Sequence, residues 1–121
     1  MRARDLPRGS VVLVAFPFTD LTATKVRPAV VLSTPEVHGR HQDVIIAAVS
    51  SVVRDADQPT AVVVPSDSPD FAATGLRVTS VIHCGKLVTV QGKLVLKRLG
   101  RLGSPLRRRV DAALRRAVGL A

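Results

Sequence analysis

Arg27-Pro28-Ala29-Val30-Val31-Leu32-Ser33 is the stretch on which the fold turns. Ala29 to Leu32 is a short apolar run, rich in β-branched residues, of the kind that forms a buried strand. Pro28 has no N–H to give to a ladder, so it suits the first residue of a strand or an edge. Upstream, Val11-Val12-Leu13-Val14-Ala15-Phe16 reads as another buried strand, stopped by Pro17. Between the two, Phe18 to Val26 is polar and Thr-rich and reads as an exposed loop.

Downstream the pattern repeats. Thr34 to Gln42 is a loop holding Pro35, His38, Gly39 and His41. Asp43 to Ser50 forms a third strand around Val44-Ile45-Ile46-Ala47-Ala48-Val49. Ser51 to Pro59 turns the chain, and Thr60 to Val64 is a fourth strand ended by Pro65. Asp70-Phe71-Ala72-Ala73 can form a single helical turn. Arg77 to His83 is a fifth strand, Lys86 to Val90 continues the sheet after a bend at Gly85, and Lys93 to Leu99 follows the Gln91-Gly92 turn as a further strand.

The C-terminus is helical. Ser104 is placed to accept from the first free N–H groups, and Pro105 fits the first helical position. Leu106, Val110, Ala113, Leu114 and Ala117 share one face, whereas Arg107, Arg108, Arg115 and Arg116 lie largely on the other. Gly119 is a natural stop. Short strands punctuated by proline and glycine, then one helix, predict a mainly β protein: a compact β-barrel with a docked helix, in which residues 1–121 form a single domain.

Composition narrows the function. Aromatic residues are only 2% of the chain, with no Trp or Tyr, so the core must be built from Val, Leu, Ile and Ala. The same scarcity argues against RNA-binding surfaces that stack bases on Phe and Tyr. No apolar run approaches the roughly 18 residues of a membrane span, and Met1-Arg2-Ala3-Arg4-Asp5 leads to Pro7 and Gly9 rather than to the apolar core of a signal peptide. Cys84 is the only cysteine, which fits a reducing cytoplasm and reads as a small buried hydrophobe.

Charge is distributed unevenly. Residues 1–85 carry eight basic and eight acidic side chains, and residues 86–121 carry ten basic and one acidic, so the net +9 lies entirely in the last third. That asymmetry points to a polyanionic partner. Standard site signals are absent: no zinc-ligand spacing, no paired acids for a metal, no glycine-rich phosphate loop. His38, His41 and His83 are scattered and define no acid–base pair by spacing, and Asp55 and Asp57 read as solvated turn residues. A metal-free enzyme acting on RNA needs little more than an arginine to neutralise phosphorane charge and a hydroxyl beside it, because the 2′-OH supplies the nucleophile.

Those parts lie in segments that resemble a known family. Arg8-Gly9-Ser10-Val11-Val12-Leu13-Val14-Ala15-Phe16-Pro17-Phe18-Thr19-Asp20-Leu21 is similar to the opening of the MazF/PemK ribonuclease toxins, where a first strand leads through a proline into a loop. Lys25 to Ser33 resembles their Arg-Pro second strand, and Asp43 to Ser51 their third. Thr79-Ser80-Val81-Ile82 with Lys86 to Val90, and Lys97-Arg98-Leu99-Gly100-Arg101-Leu102 with the helix, match their late elements. The likeness runs in order along nearly the whole chain.

The resemblance implies the small SH3-like β-barrel of the MazF/PemK/CcdB plasmid toxins and a cytoplasmic toxin of a type II toxin–antitoxin system. It implies a homodimer, no cofactor and no metal, cleavage of single-stranded RNA, and inhibition by an acidic antitoxin. The family's catalytic arginine maps onto Arg27 and its catalytic threonine onto Ser50. Thr19, Thr22, Thr24, Lys25 and Lys86 are the matching candidates for RNA contacts. The sequence departs from the family at Ser50, at Ser10, where many members carry Asp, and at Gly85-Lys86, where an acidic or polar residue often precedes the Lys or Gln. Two other functions remain open on the residues alone: a non-catalytic toxin that binds a protein such as DNA gyrase, and a non-catalytic nucleic-acid-binding protein.

Overall fold

The computed structural model describes residues 1–17 and 24–121. Six strands form one antiparallel sheet: β1 (Ser10–Pro17), β2 (Thr24–Val31), β3 (Val44–Ser50), β4 (Ala61–Val64), β5 (Ser80–Val90) and β6 (Val95–Arg101). The order across the sheet is β4-β5-β3-β2-β1-β6. Two α-helices, a single turn α1 (Phe71–Thr74) and the long α2 (Ser104–Val118), and three short 3-10 turns complete the described residues.

The apolar runs behave as strands because alternate residues find two separate cores. On one face Val11, Val30, Ala47, Val49 and Ile82 pack against Leu106, Val110 and Ala113 of α2. On the other, Val12, Val14, Ala29, Val31, Val44 and Ile46 form a second cluster closed by Ala3 and Leu6. A strand buried on both faces reads as continuously apolar, which is how β1 and β3 appear in sequence. Each fully buried Val or Ile contributes about 1.5–3 kcal/mol relative to exposure, and no aromatic ring is needed.

The mainly β architecture with a C-terminal helix is as expected, but the sheet is not closed. Its edges are β4 and β6, and they do not pair with one another. Closure depends on which strands meet last, and α2 instead covers one face of an open sheet. Strand limits also differ in places. β2 begins at Thr24, so the last part of the expected 18–26 loop is paired with β1, Lys25 lying opposite Phe16 and Val26 opposite Ala15; the rest of that loop lies outside the described residues. Ser80 to Val90 is one strand rather than two, because β5 passes Gly85 without leaving the sheet.

The helix also starts differently from expectation. Gly103, not Ser104, is the N-cap; no side chain caps the helix, and the Arg107 amide donates to the Gly103 carbonyl at 2.9 Å. Pro105 sits in the first turn and Gly119 ends the helix in the left-handed conformation, at φ 72°. Leu106, Val110 and Ala113 are buried and Leu114 is half-buried, but Ala117 is exposed because the helix has by then run past the sheet. Arg8 anchors the middle of α2 to the sheet: it pairs with Asp111 and donates through Nε to the Leu32 carbonyl.

Candidate active site

Pairing between β2 and β3 assembles the centre of the site. Ala29 lies opposite Ala48, and continuing that register by two residues along each strand sets Arg27 against Ser50. On its other side Arg27 pairs with Val14 of β1. Arg27 is an exposed side chain on the sheet face away from α2. It shares its strand parity with Ala29 and Val31 of the second core.

β5 supplies the next wall. It pairs with β3 through Ala47↔Leu87 and then Ala48↔His83, so Cys84, Gly85 and Lys86 have no partners on β3. This bulge bends the strand and re-aims its side chains. The Cys84 amide stays tied to the Thr60 carbonyl at 2.9 Å. A β-carbon at Gly85 would lie 3.0 Å from the Thr60 hydroxyl oxygen, which explains the small residue at the bend.

Arg27, Ser50 and Lys86 line one hollow of about 400 Å³, together with Arg54, Asp55 and His83. The three residues come from β2, β3 and β5, and the hollow brings them together. The Ser50 oxygen accepts from the Val52 amide at 3.0 Å. A second hollow of about 290 Å³ lies on the other side of Arg27, with Leu13, Leu76, Val78 and Lys97 in its lining. Arg27 therefore stands between two recesses, one of mixed polar and apolar lining and one with aliphatic walls.

The remaining sequence candidates fall differently. Thr19 and Thr22 lie outside the described residues. Thr24 begins β2, and Lys25 is exposed on that strand but does not line the hollow. His38 and His41 follow the short turn Pro35–Val37 and take no part in the hollow. His83 does take part, although its spacing gave no hint of it. Its cross-strand neighbours are Ala48 on β3 and Ala61 on β4, two small residues that leave room for the ring. Asp55 and Arg54 were also missed as site residues, because they reach the hollow from a turn.

Electrostatics in the hollow are positive. Arg27, Arg54 and Lys86 face a single carboxylate, Asp55. Burial holds the His83 imidazole below its ordinary pKa, the Lys86 charge pushes the same way, and Asp55 opposes them. Most of the C-terminal charge lies elsewhere: Arg107, Arg108, Arg115 and Arg116 are exposed on α2, which covers the opposite face. From there they contribute to the field at the hollow over long range and do not line it. Among the described residues no group of three or more His, Cys, Asp or Glu side chains is placed to hold a metal ion, and no helix is long and apolar enough to cross a membrane.

An open six-stranded antiparallel sheet, one C-terminal helix and an Arg-Pro pair within the second strand define a toxin fold. The family model described as PemK-like, MazF-like toxin of type II toxin–antitoxin system matches residues 7–118, and this chain belongs to that family. A comparison with curated proteins by sequence finds no match. Among solved structures, a mycobacterial endoribonuclease in complex with its cognate antitoxin is 19% identical, with TM-score 0.74 over 95% of this chain and 96% of that one. The Mycobacterium tuberculosis toxin MazF-mt6 is 22% identical, with TM-score 0.71 over 93% and 98%. MazF in a MazE–MazF crystal structure from Deinococcus radiodurans is 19% identical, with TM-score 0.73 over 95% and 96%. At these identities the likeness establishes the fold.

Proposed function

We propose that this chain is the toxin of a type II toxin–antitoxin pair and acts as an endoribonuclease on single-stranded RNA. The observation that carries the reading is the meeting of Arg27, Ser50 and Lys86 in one electropositive hollow. Arg27 neutralises the charge that builds on the phosphorane, since its planar fork matches two phosphate oxygens. A guanidinium has no acceptor lone pair, so its part is electrostatic rather than that of a base. The Ser50 hydroxyl donates to the same phosphate, and Lys86 holds a neighbouring one.

The 2′-OH attacks its own 3′-phosphate, the P–O5′ bond breaks, and the products are a 2′,3′-cyclic phosphate and a 5′-hydroxyl. The nucleophile belongs to the substrate, so the reaction proceeds in EDTA. The relatives support the partner: one is an endoribonuclease in complex with its cognate antitoxin, and another is a MazE–MazF assembly. The same reading gives this chain an acidic antitoxin, a homodimeric state and a cytoplasmic place of action.

The test is an RNA oligonucleotide with 2′-deoxyribose at the scissile position, compared with its all-ribose twin in EDTA. The all-ribose strand should be cut and the deoxy strand should survive. Equal cutting of both would remove the 2′-OH mechanism, and salt-sensitive binding without cutting of either would reduce the protein to a nucleic-acid-binding module.

A further inference from the structure

The ribonuclease reading leaves one step without a residue, and this inference rests on that reading. Something must take the proton from the 2′-OH. Arg27 and Lys86 are cations with no acceptor lone pair. The Ser50 oxygen already receives the Val52 amide.

We propose that His83 is the general base of the cleavage step. Its imidazole lies in the wall of the hollow that holds Arg27 and Ser50, and it is only 8% exposed. Ala48 and Ala61 are its cross-strand neighbours on β3 and β4, and both side chains are small. None of the hydrogen bonds among the described residues involves the His83 ring. A largely buried imidazole with no described hydrogen-bond partner, in the same hollow as Arg27, is placed to accept a proton from a ribose hydroxyl bound there.

The proton inventory closes. A His83 nitrogen takes the 2′-OH proton as O2′ bonds to phosphorus. The P–O5′ bond breaks, the O5′ electron pair takes a proton from water, and His83 returns its own to solvent. No oxidant, reductant or further reactant is consumed.

The surrounding charges set the working form of the ring. Lys86 from β5 and Asp55 from the turn after β3 act on it in opposite senses. Arg27 from β2 and Arg54 line the same hollow. α2 packs on the opposite face of β5, against Ile82 and Cys84, so its arginines lie beyond the sheet. With its pKa held below 6.5, chiefly by burial, the ring is neutral at pH 7 and able to accept.

The experiment is the pH dependence of kcat/KM, from single-turnover cleavage at subsaturating enzyme, for a short fluorescent single-stranded RNA spanning a mapped cut. Wild type, His83→Gln and Asp55→Asn are compared. The wild-type rate should rise with unit slope through a pKa below the ordinary histidine value and then level. His83→Gln should lose that limb and fall by about 10²-fold or more, with KM little changed. A second measurement needs no variant enzyme: the ring pKa of His83, followed by NMR in the wild-type protein, should coincide with the kinetic limb. This keeps the test valid if His83→Gln fails to fold. A limb that survives in His83→Gln, or disappears only in Asp55→Asn, or differs from the NMR value, overturns the role of His83 alone. No cleavage by wild type at any pH overturns the ribonuclease reading, and this role with it.

Discussion

The Ser50 hydroxyl oxygen accepts a hydrogen bond from the Val52 amide at 3.0 Å, which fixes one lone pair and leaves the hydroxyl proton free. A hydroxyl has one donor and two acceptor positions, so the turn after β3 orients Ser50 for donation without consuming its proton. The family's threonine offers the same hydroxyl on a stiffer rotamer. Ser50→Thr should therefore keep or raise the cleavage rate. Ser50→Ala should lower it by about 10²-fold, the usual effect of removing one donor to a developing anion. Single-turnover rates on one RNA check both, and an unchanged rate in Ser50→Ala would remove Ser50 from the chemistry.

Lys86 is exposed on the β5 bulge and reaches the hollow as a point charge. If it holds one phosphate, Lys86→Gln should weaken RNA binding and flatten the dependence of log K on log salt by about 0.7, the contribution of one contact to a single strand. Titrations at several salt concentrations measure the slope. An unchanged slope with unchanged affinity would place Lys86 outside the RNA path.

Cys84 is fully buried between β5 and α2, its thiol 3.9 Å from the Val110 carbonyl. Burial first, and the Asp111 charge second, push its pKa up to about 11. A thiol that stays protonated is a poor nucleophile, so native protein should resist thiol reagents at pH 8 and react only once unfolded. The linkage has a definite sign. Above the pKa of the unfolded thiol, near 8.5, the unfolded chain loses a proton that the native state keeps. Stability is full below that value and declines toward pH 11, by on the order of 2 kcal/mol. Denaturation of wild type and Cys84→Ala across this range isolates the effect, because the variant lacks this slope.

Gly75 holds α1 against β6. Its φ is +74°, and a β-carbon there would lie 2.2 Å from the Leu99 carbonyl oxygen. Gly75→Ala faces a left-handed backbone penalty and a backbone clash together, and should cost at least about 2 kcal/mol. Chemical denaturation gives the number. A loss below about 0.5 kcal/mol, the range of ordinary surface changes, would contradict the packing described here.

Sequence and structure agree where the signal is local. β1 and β3 are legible as continuous apolar runs because both of their faces are buried. α2 is legible through Leu106, Val110 and Ala113 at helical spacing. Arg27, Ser50 and Lys86 are legible only as motif matches, and the strand register then sets them in one place. What escaped the sequence depends on partners from distant segments. The fate of the edges β4 and β6 is decided by the whole sheet, so an open sheet and a barrel read alike. Gly85 resembles a break, but the bulge keeps β5 paired on both sides. His83 is unremarkable among three histidines until Ala48 and Ala61 flank it. One clue was present: His83 falls on the strand parity opposite Ile82 and Cys84, away from the helix-side core.

The central claim is that Arg27 makes this protein a ribonuclease, and primer-extension mapping tests it most directly. A long single-stranded RNA is incubated in EDTA with wild type or with Arg27→Ala, the folds being matched by circular dichroism. Wild type should produce discrete stops at short recurring sequences, and Arg27→Ala should produce none. The same stops at the same intensity with Arg27→Ala would contradict the account.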